Sequence, residues 1–271
     1  MFVNFYNYII LGAVQAVTEF LPISSSGHLI LARDILHIND SSGLAFDAVL
    51  QLATTLAILV YFRRDFIKLV ISFFKFIFRK PDSKENNLFL KAIIIGTLPA
   101  VILGILFEGV MDSIMRDSLL VATSLSVGAL IMLLSEYLYK AKKNREELSV
   151  KKGFYIGLFQ ALALIPGMSR SGMVLAGGFF NNLKREVAVR YAFILSAPVL
   201  LGSGLKKLFD IWLTNPNQEA LEPLLVGSII SFIIGILVIH YLIKYLQNHS
   251  LKIFAYYRII LSLIIILFYF A

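Results

Sequence analysis

The chain has 271 residues, 58% of them hydrophobic and only 15% charged, with a formal net charge of +8 and a mean hydropathy of +0.81. Soluble domains hold about 45–50% apolar residues, so a soluble core cannot absorb this much apolar side chain. There is no cysteine, which excludes disulfides, thiolate metal sites and a cysteine nucleophile, and the basic residues cluster in a few loops, as in a membrane protein and not as in a nucleic-acid binder.

Taken in chain order, Met1 to Ile10 lacks both a basic n-region and a small-residue cleavage site, so it is not read as a removable signal. Residues 5–36 are apolar but interrupted by Pro22-Ile23-Ser24-Ser25-Ser26-Gly27. Each half is too short to cross a bilayer, and proline and glycine end a helix. The pattern predicts a re-entrant helix–loop–helix hairpin. Full spans follow at about 45–62, 88–108 and 117–139, and the run from Arg63 to Lys84, with Phe66, Phe73, Phe74, Phe76 and Phe78 among its charges, predicts an amphipathic surface helix. After a basic linker, 140–152, residues 153–180 form a second interrupted stretch, broken by Pro166-Gly167-Met168-Ser169-Arg170-Ser171-Gly172. Spans at about 188–206, 222–244 and 252–270 complete the chain. The runs are apolar on every face and do not alternate, so the fold class is an all-α polytopic membrane protein with six full transmembrane helices and two re-entrant hairpins. Irregular backbone at membrane depth is tolerated only inside protein or beside water, so both tips should be buried.

The two halves resemble each other. At an offset of 145, Gly12 matches Gly157, Gln15 matches Gln160, Ala16 matches Ala161, Ser24 matches Ser169, Ser26 matches Ser171 and Gly27 matches Gly172. Residues 1–139 form a first repeat and 153–271 a second; each is one hairpin plus three spans, and an odd number of spans inverts the second copy, which is the plan of an inverted-topology repeat. Loops 63–87, 140–152, 181–190 and 244–252 hold 18 Lys and Arg, against Arg33, Arg116, Lys206 and Lys207 opposite. The excess places those loops in the cytoplasm, with both termini and the mouth of the first hairpin outside.

Ionisable groups at membrane depth mark function by default. The first hairpin holds Glu19 and His28, the second Arg170 and the last span Arg258. Gln15 and Glu19, four apart, share a helix face. A phosphate site needs cationic and N–H donors, close backbone, and a nucleophile with a base. Arg170 supplies a planar donor fork, Gly167 and Gly172 let the backbone approach, and Ser24, Ser25 and Ser26 supply hydroxyls. Either Ser25 attacks with His28 as its base, or His28 attacks phosphorus itself. Glu19, with Gln15, offers oxygen to a divalent cation. Against these stand plainer readings: serines that serve close packing, a structural Glu19–Arg170 ion pair joining the hairpins, and a core histidine satisfied by a carbonyl. Arg258, about one turn inside its span, is read as structural, snorkelling to the surface. His37, His240 and His249 fall at span ends or in loops.

The stretches Gln15-Ala16-Val17-Thr18-Glu19-Phe20-Leu21-Pro22-Ile23-Ser24-Ser25-Ser26-Gly27-His28 and Pro166-Gly167-Met168-Ser169-Arg170-Ser171-Gly172 resemble the two signatures of the undecaprenyl-diphosphate phosphatase, or bacitracin-resistance, family. The resemblance covers essentially the whole chain. It implies an inner-membrane enzyme of bacteria that hydrolyses undecaprenyl diphosphate to undecaprenyl phosphate, uses a divalent cation (Mg or Ca), and has a site open to the outer face. By match to the motifs, Glu19 and Gln15 correspond to the acidic pair, Ser24 and Ser25 to the hydroxyl loop, His28 to the essential histidine, and Ser169, Arg170 and Ser171 to the phosphate-binding loop. Gln15 stands where Glu or Gln is expected, which weakens a mechanism needing two carboxylates, and Val174 stands where threonine is frequent. The partners implied are a polyprenyl diphosphate and the bilayer, with no nucleic acid, and the oligomeric state stays open, a dimer included. Two rivals remain: a lipid-phosphate flippase or small-anion transporter on the same repeat, and a phosphatase of the serine–glycine–histidine with serine–arginine type, whose upstream lysine-and-arginine motif is missing here.

Overall fold

A computed structural model describes residues 5–38, 43–107, 109, 118–141, 145–214 and 221–270. Among the described residues the fold is all-helical, with one isolated bridge between Glu146 and Leu183 and no strand. In chain order the helices are α1 (Phe5–Phe20), α2 (Ser25–Leu36), α3 (Gly43–Tyr61), α4 (Arg63–Ile77), α5 (Lys84–Leu106), α6 (Ser118–Ala141), α7 (Val150–Leu162), α8 (Arg170–Phe180), α9 (Arg185–Thr214), α10 (Leu221–Asn248) and α11 (Lys252–Phe270). The chain is a polytopic membrane protein. Five helices, α5, α6, α9, α10 and α11, are long and apolar enough to cross a membrane. The sixth expected span, α3, is an apolar helix of 19 residues, Gly43–Tyr61.

Both interruptions fall where proline and glycine put them. Helix α1 stops at Phe20 and α2 starts at Ser25; α7 stops at Leu162 and α8 starts at Arg170. The two breaks share an uncommon backbone. Ser24 has φ 76° and ψ 104°, and Ser169 has φ 67° and ψ 112°, a positive-φ conformation that costs about 1–3 kcal/mol in a non-glycine residue and needs surroundings that impose it. Pro99 and Pro198, by contrast, lie inside α5 and α9 without ending them; neighbouring helices in a membrane bundle can re-satisfy the backbone that proline frees.

Close packing by small residues joins the halves. On α1, a Cβ at Gly12 would lie 2.5 Å from the Gly227 carbonyl oxygen of α10; on α7, a Cβ at Gly157 would lie 2.2 Å from the Gly96 carbonyl oxygen of α5. The helix that opens each interrupted stretch is thus seated on a helix of the other half. A buried clasp closes the end where α6, α9 and α11 meet: Arg185 donates to both oxygens of Glu136, at 2.9 and 2.6 Å, and the Leu251 amide donates to Glu136 as well.

Several expectations shift. The amphipathic helix α4 ends at Ile77, not at Lys84, because the chain turns and α5 begins there. Its apolar residues, Ile67, Val70, Phe73 and Phe74 among them, are exposed, and its polar face is pinned by Asp65 to Arg190. Lys206 and Lys207, counted as loop residues, lie inside α9, which runs on to Thr214, and Arg33 lies on α2, paired with Asp47. Arg116 falls outside the described residues. His37 ends α2 in the left-handed conformation, His240 meets the Tyr61 hydroxyl at 3.2 Å and His249 bonds the Tyr245 carbonyl at 3.0 Å.

Candidate active site

The two loops meet and brace each other. Ser24 and Ser26 hydroxyls lie 3.2 Å apart, and Ser169 and Ser171 hydroxyls 3.3 Å apart. Across the join, the Gly167 amide donates to Ser26 Oγ at 3.4 Å and Ser171 Oγ donates to the Leu21 carbonyl at 3.3 Å. Ser169 also caps α8 by accepting from the Gly172 amide at 3.3 Å, which relieves one of the orphan donors at that helix start. Ser26 and Ser171 therefore hold the loops to each other, while Ser24 and Ser169 bond within their own loops. Gly167 and Gly172 turn their open faces to α6: a Cβ would meet the Val121 carbonyl at 2.5 Å and Met132 Sδ at 3.1 Å respectively. At Gly167 the φ of 93° adds a second demand for glycine.

Gln15, Glu19, Ser25 and Arg170 come together. Glu19 is buried at the end of α1, where Oε1 faces Arg170 Nη2 at 3.3 Å. Its Oε2 accepts from Ser25 Oγ at 2.7 Å and from Gln15 Nε2 at 3.2 Å. Arg170 Nη1 is buried with no hydrogen-bond partner. An unpartnered donor of a buried charged group costs free energy, about 1–3 kcal/mol or more, and an anion would satisfy it. Ser25 and Arg170 are also the first residues of α2 and α8, so two helix N-termini, each with partial positive charge, reach the same place. A narrow, partly open cleft joins Glu19 and Arg170 to apolar walls that include Phe20, Ile58, Phe193 and Leu200.

His28 is held elsewhere. Its Nδ1 lies 2.7 Å from the Ser24 carbonyl and its Nε2 lies 2.7 Å from the Tyr257 hydroxyl, with the two rings stacked, centroids 5.6 Å apart. A carbonyl only accepts, so Nδ1 carries the proton; in the neutral ring Nε2 then accepts from Tyr257. The expected Ser25–His28 pairing is replaced by Ser25–Glu19, because the serine and histidine stand on the first turn of α2 with their partners on different helices.

Among the described residues no cluster of three or more His, Asp or Glu side chains is gathered to hold a metal ion. The groups around Glu19 are the Gln15 amide and the Ser25 hydroxyl, which can offer oxygen to a cation beside the carboxylate, and the Arg170 guanidinium, which cannot. A hard cation such as Mg²⁺ is commonly held by one or two carboxylates plus phosphate oxygens of a substrate, and this set fits that pattern.

Two residues of α11 were not read from the sequence as part of the site. Tyr257 orients His28. Arg258, expected to snorkel, is instead fully buried and donates to the carbonyls of Gly167 and Met168, both at 2.9 Å. An arginine one turn inside an apolar span was the signal available; its route inward is set by the packing of α11 on α6.

The family model described as bacitracin resistance protein BacA matches residues 8–264. An undecaprenyl-diphosphatase of Corynebacterium glutamicum is 38% identical over 260 residues, covering 96% of this chain and 88% of that protein. Undecaprenyl-diphosphatase 1 of Corynebacterium jeikeium is 40% identical over 258 residues, covering 95% and 92%, and an undecaprenyl-diphosphatase of Mycobacterium ulcerans is 35% identical over 268 residues, covering 97% and 96%. With the family match running almost end to end, and with both signature loops braced around one carboxylate–serine–arginine group, the chain belongs to the bacitracin resistance protein BacA family.

Proposed function

We propose that the protein hydrolyses undecaprenyl diphosphate to undecaprenyl phosphate and inorganic phosphate in the inner membrane of a bacterium, recycling the lipid carrier of wall synthesis and conferring bacitracin resistance. The observation that carries this reading is the buried, unpartnered Nη1 of Arg170 beside a hydrogen-bonded Ser25–Glu19 pair. Arg170 and the α8 N-terminus bind the terminal phosphate. Ser25 Oγ attacks the terminal phosphorus, its proton passes to Glu19, and the bridging P–O bond breaks to release undecaprenyl phosphate. Water then cleaves the phosphoserine, returning the proton to the serine oxygen and freeing inorganic phosphate. Donors fixed around the developing charge supply most of the acceleration. A divalent cation, when bound through Glu19 and Gln15, supplies further neutralisation of the diphosphate. His28, set by Ser24 and Tyr257, stands next to the nucleophile's loop and is the alternative nucleophile. The apolar walls of the cleft suit the first units of the prenyl tail.

The same reading places α1–α2 and α7–α8 as re-entrant hairpins of two inverted repeats, 1–139 and 153–271, with α3 as a sixth span and with the termini and the site's mouth facing outward. It is supported by the matching backbones of Ser24 and Ser169, by the paired serine contacts in each loop, and by the reciprocal seating of Gly12 and Gly157 on the opposite half. Release of inorganic phosphate from undecaprenyl diphosphate by the purified protein tests the activity. Transport of a lipid phosphate or small anion in liposomes with no phosphate released would replace it with the transporter reading.

A further inference from the structure

Arg258 carries a buried charge that the reaction above leaves unused. No described carboxylate pairs with it. Instead Nη1 donates to the Met168 carbonyl and Nη2 to the Gly167 carbonyl, each at 2.9 Å, while Nε donates to the Leu125 carbonyl at 3.2 Å and Nη2 also to the Ser124 carbonyl at 3.4 Å. A charge inside a bilayer is costly, at least about 2.5–3.5 kcal/mol on insertion scales, and a strut between helices needs no cation. The room it occupies is kept open by a missing side chain, since a Cβ on Gly128 of α6 would lie 2.2 Å from Arg258 Nη2.

What the fork fixes is the backbone next to Arg170. Gly167 and Ser169 both have positive φ, 93° and 67°, and Gly167 and Met168 are the peptides on which Arg258 pulls. Such a backbone persists only where its surroundings over-determine it, and the planar, rigid guanidinium is suited to hold two carbonyls in a set relation. From the other side, Arg170 is drawn by Glu19 at 3.3 Å. We propose that Arg258 is a positioning residue: by holding the Gly167 and Met168 carbonyls it sets the loop that aims Arg170 at the phosphate. This rests on the reading of Arg170 as the phosphate-binding residue.

A double-mutant cycle tests it. Arg258→Gln keeps a hydrogen-bond donor at the site, and Arg258→Met removes all of them. Because a displacement of about 1 Å at a reacting group can cost roughly 100-fold in rate, Arg258→Met should lower kcat/KM on the order of 100-fold, mostly through KM. In an Arg170→Ala background the same change should cost no more than about twofold. Equal losses in both backgrounds would mean that Arg258 acts on the fold at large and would overturn the proposal. Wild-type turnover in Arg170→Ala alone would instead sink the phosphate-binding reading. Should Arg258→Met fail to fold, hydrogen exchange on Arg258→Gln decides: amides of residues 167–172 should exchange faster while those of 23–28 keep their rate, and unchanged exchange at 167–172 contradicts the proposal.

Discussion

Ser25 and Glu19 are directly linked, with Ser25 Oγ donating to Glu19 Oε2 at 2.7 Å while the other carboxylate oxygen faces Arg170. One carboxylate thus touches both the hydroxyl that would attack and the cation that would hold the target. Ser25→Ala and Glu19→Gln should each lower kcat by about 10²–10⁴-fold, with Ser25→Ala leaving KM nearly unchanged. Steady-state phosphate release checks this. Near wild-type turnover in Ser25→Ala would transfer the nucleophile's role to His28.

Tyr257 donates to the one free ring nitrogen of His28. Tyr257→Phe keeps the stacked ring but removes the donor that orients His28, so kcat/KM should fall by more than the loss of one hydrogen bond's stability, about 1 kcal/mol or a few degrees of unfolding temperature, can explain. A fall with an equal loss of thermal stability would make Tyr257 a packing residue only.

The seats of α1 and α7 leave no space for a methyl group. Gly157→Ala and Gly12→Ala bring a Cβ against carbonyl oxygens at 2.2 and 2.5 Å, and overpacking of this kind costs about 1–3 kcal/mol or more. Thermal unfolding in detergent should show both variants destabilised, whereas Gly202→Ala, with nothing within 4 Å of the added carbon, should match the wild type.

Glu136 accepts from Arg185 twice and from the Leu251 amide once. Removing one partner of a buried ion pair costs about 3–5 kcal/mol, so Glu136→Ala should be among the most destabilising single changes outside the site, read again by thermal unfolding and by yield of folded protein.

Because the chain has no cysteine, single cysteines report topology directly. Arg79→Cys, beyond α4, should react with an impermeant maleimide only after cells are opened, and Tyr6→Cys, exposed at the start of α1, should react in intact cells. The reverse pattern would invert the proposed orientation.

Much of this was legible in the sequence because its signals are local. Pro22 and the Pro166-Gly167 pair stand between apolar runs too short to span, and that combination marks both loops to within a few residues, whereas Pro99 and Pro198 sit within long runs and leave their helices unbroken. Gln15 and Glu19 share a face by spacing alone, and the ion pair weighed for Glu19 with Arg170 is present at 3.3 Å. What could not be read depends on which helices become neighbours. Ser25 and His28 sit three residues apart, and nothing local says that one meets Glu19 on α1 while the other meets Tyr257 on α11. Arg258 looks like any cation near a span end until α6 and the second loop close over it, and Tyr257 looks like any lipid-facing aromatic. Nor could the sequence say that Ser26 and Ser171, read as phosphate-binding, also bond across the join to the other loop.

The most direct measurement is phosphate released from undecaprenyl diphosphate by the purified Arg170→Ala variant beside the wild type. The site described here predicts a fall in kcat/KM of at least about 100-fold with the protein still folded, since the guanidinium whose Nη1 stands unpartnered would no longer be there to take the phosphate. Turnover equal to the wild type would contradict it, and would place the chemistry away from the meeting of the two loops.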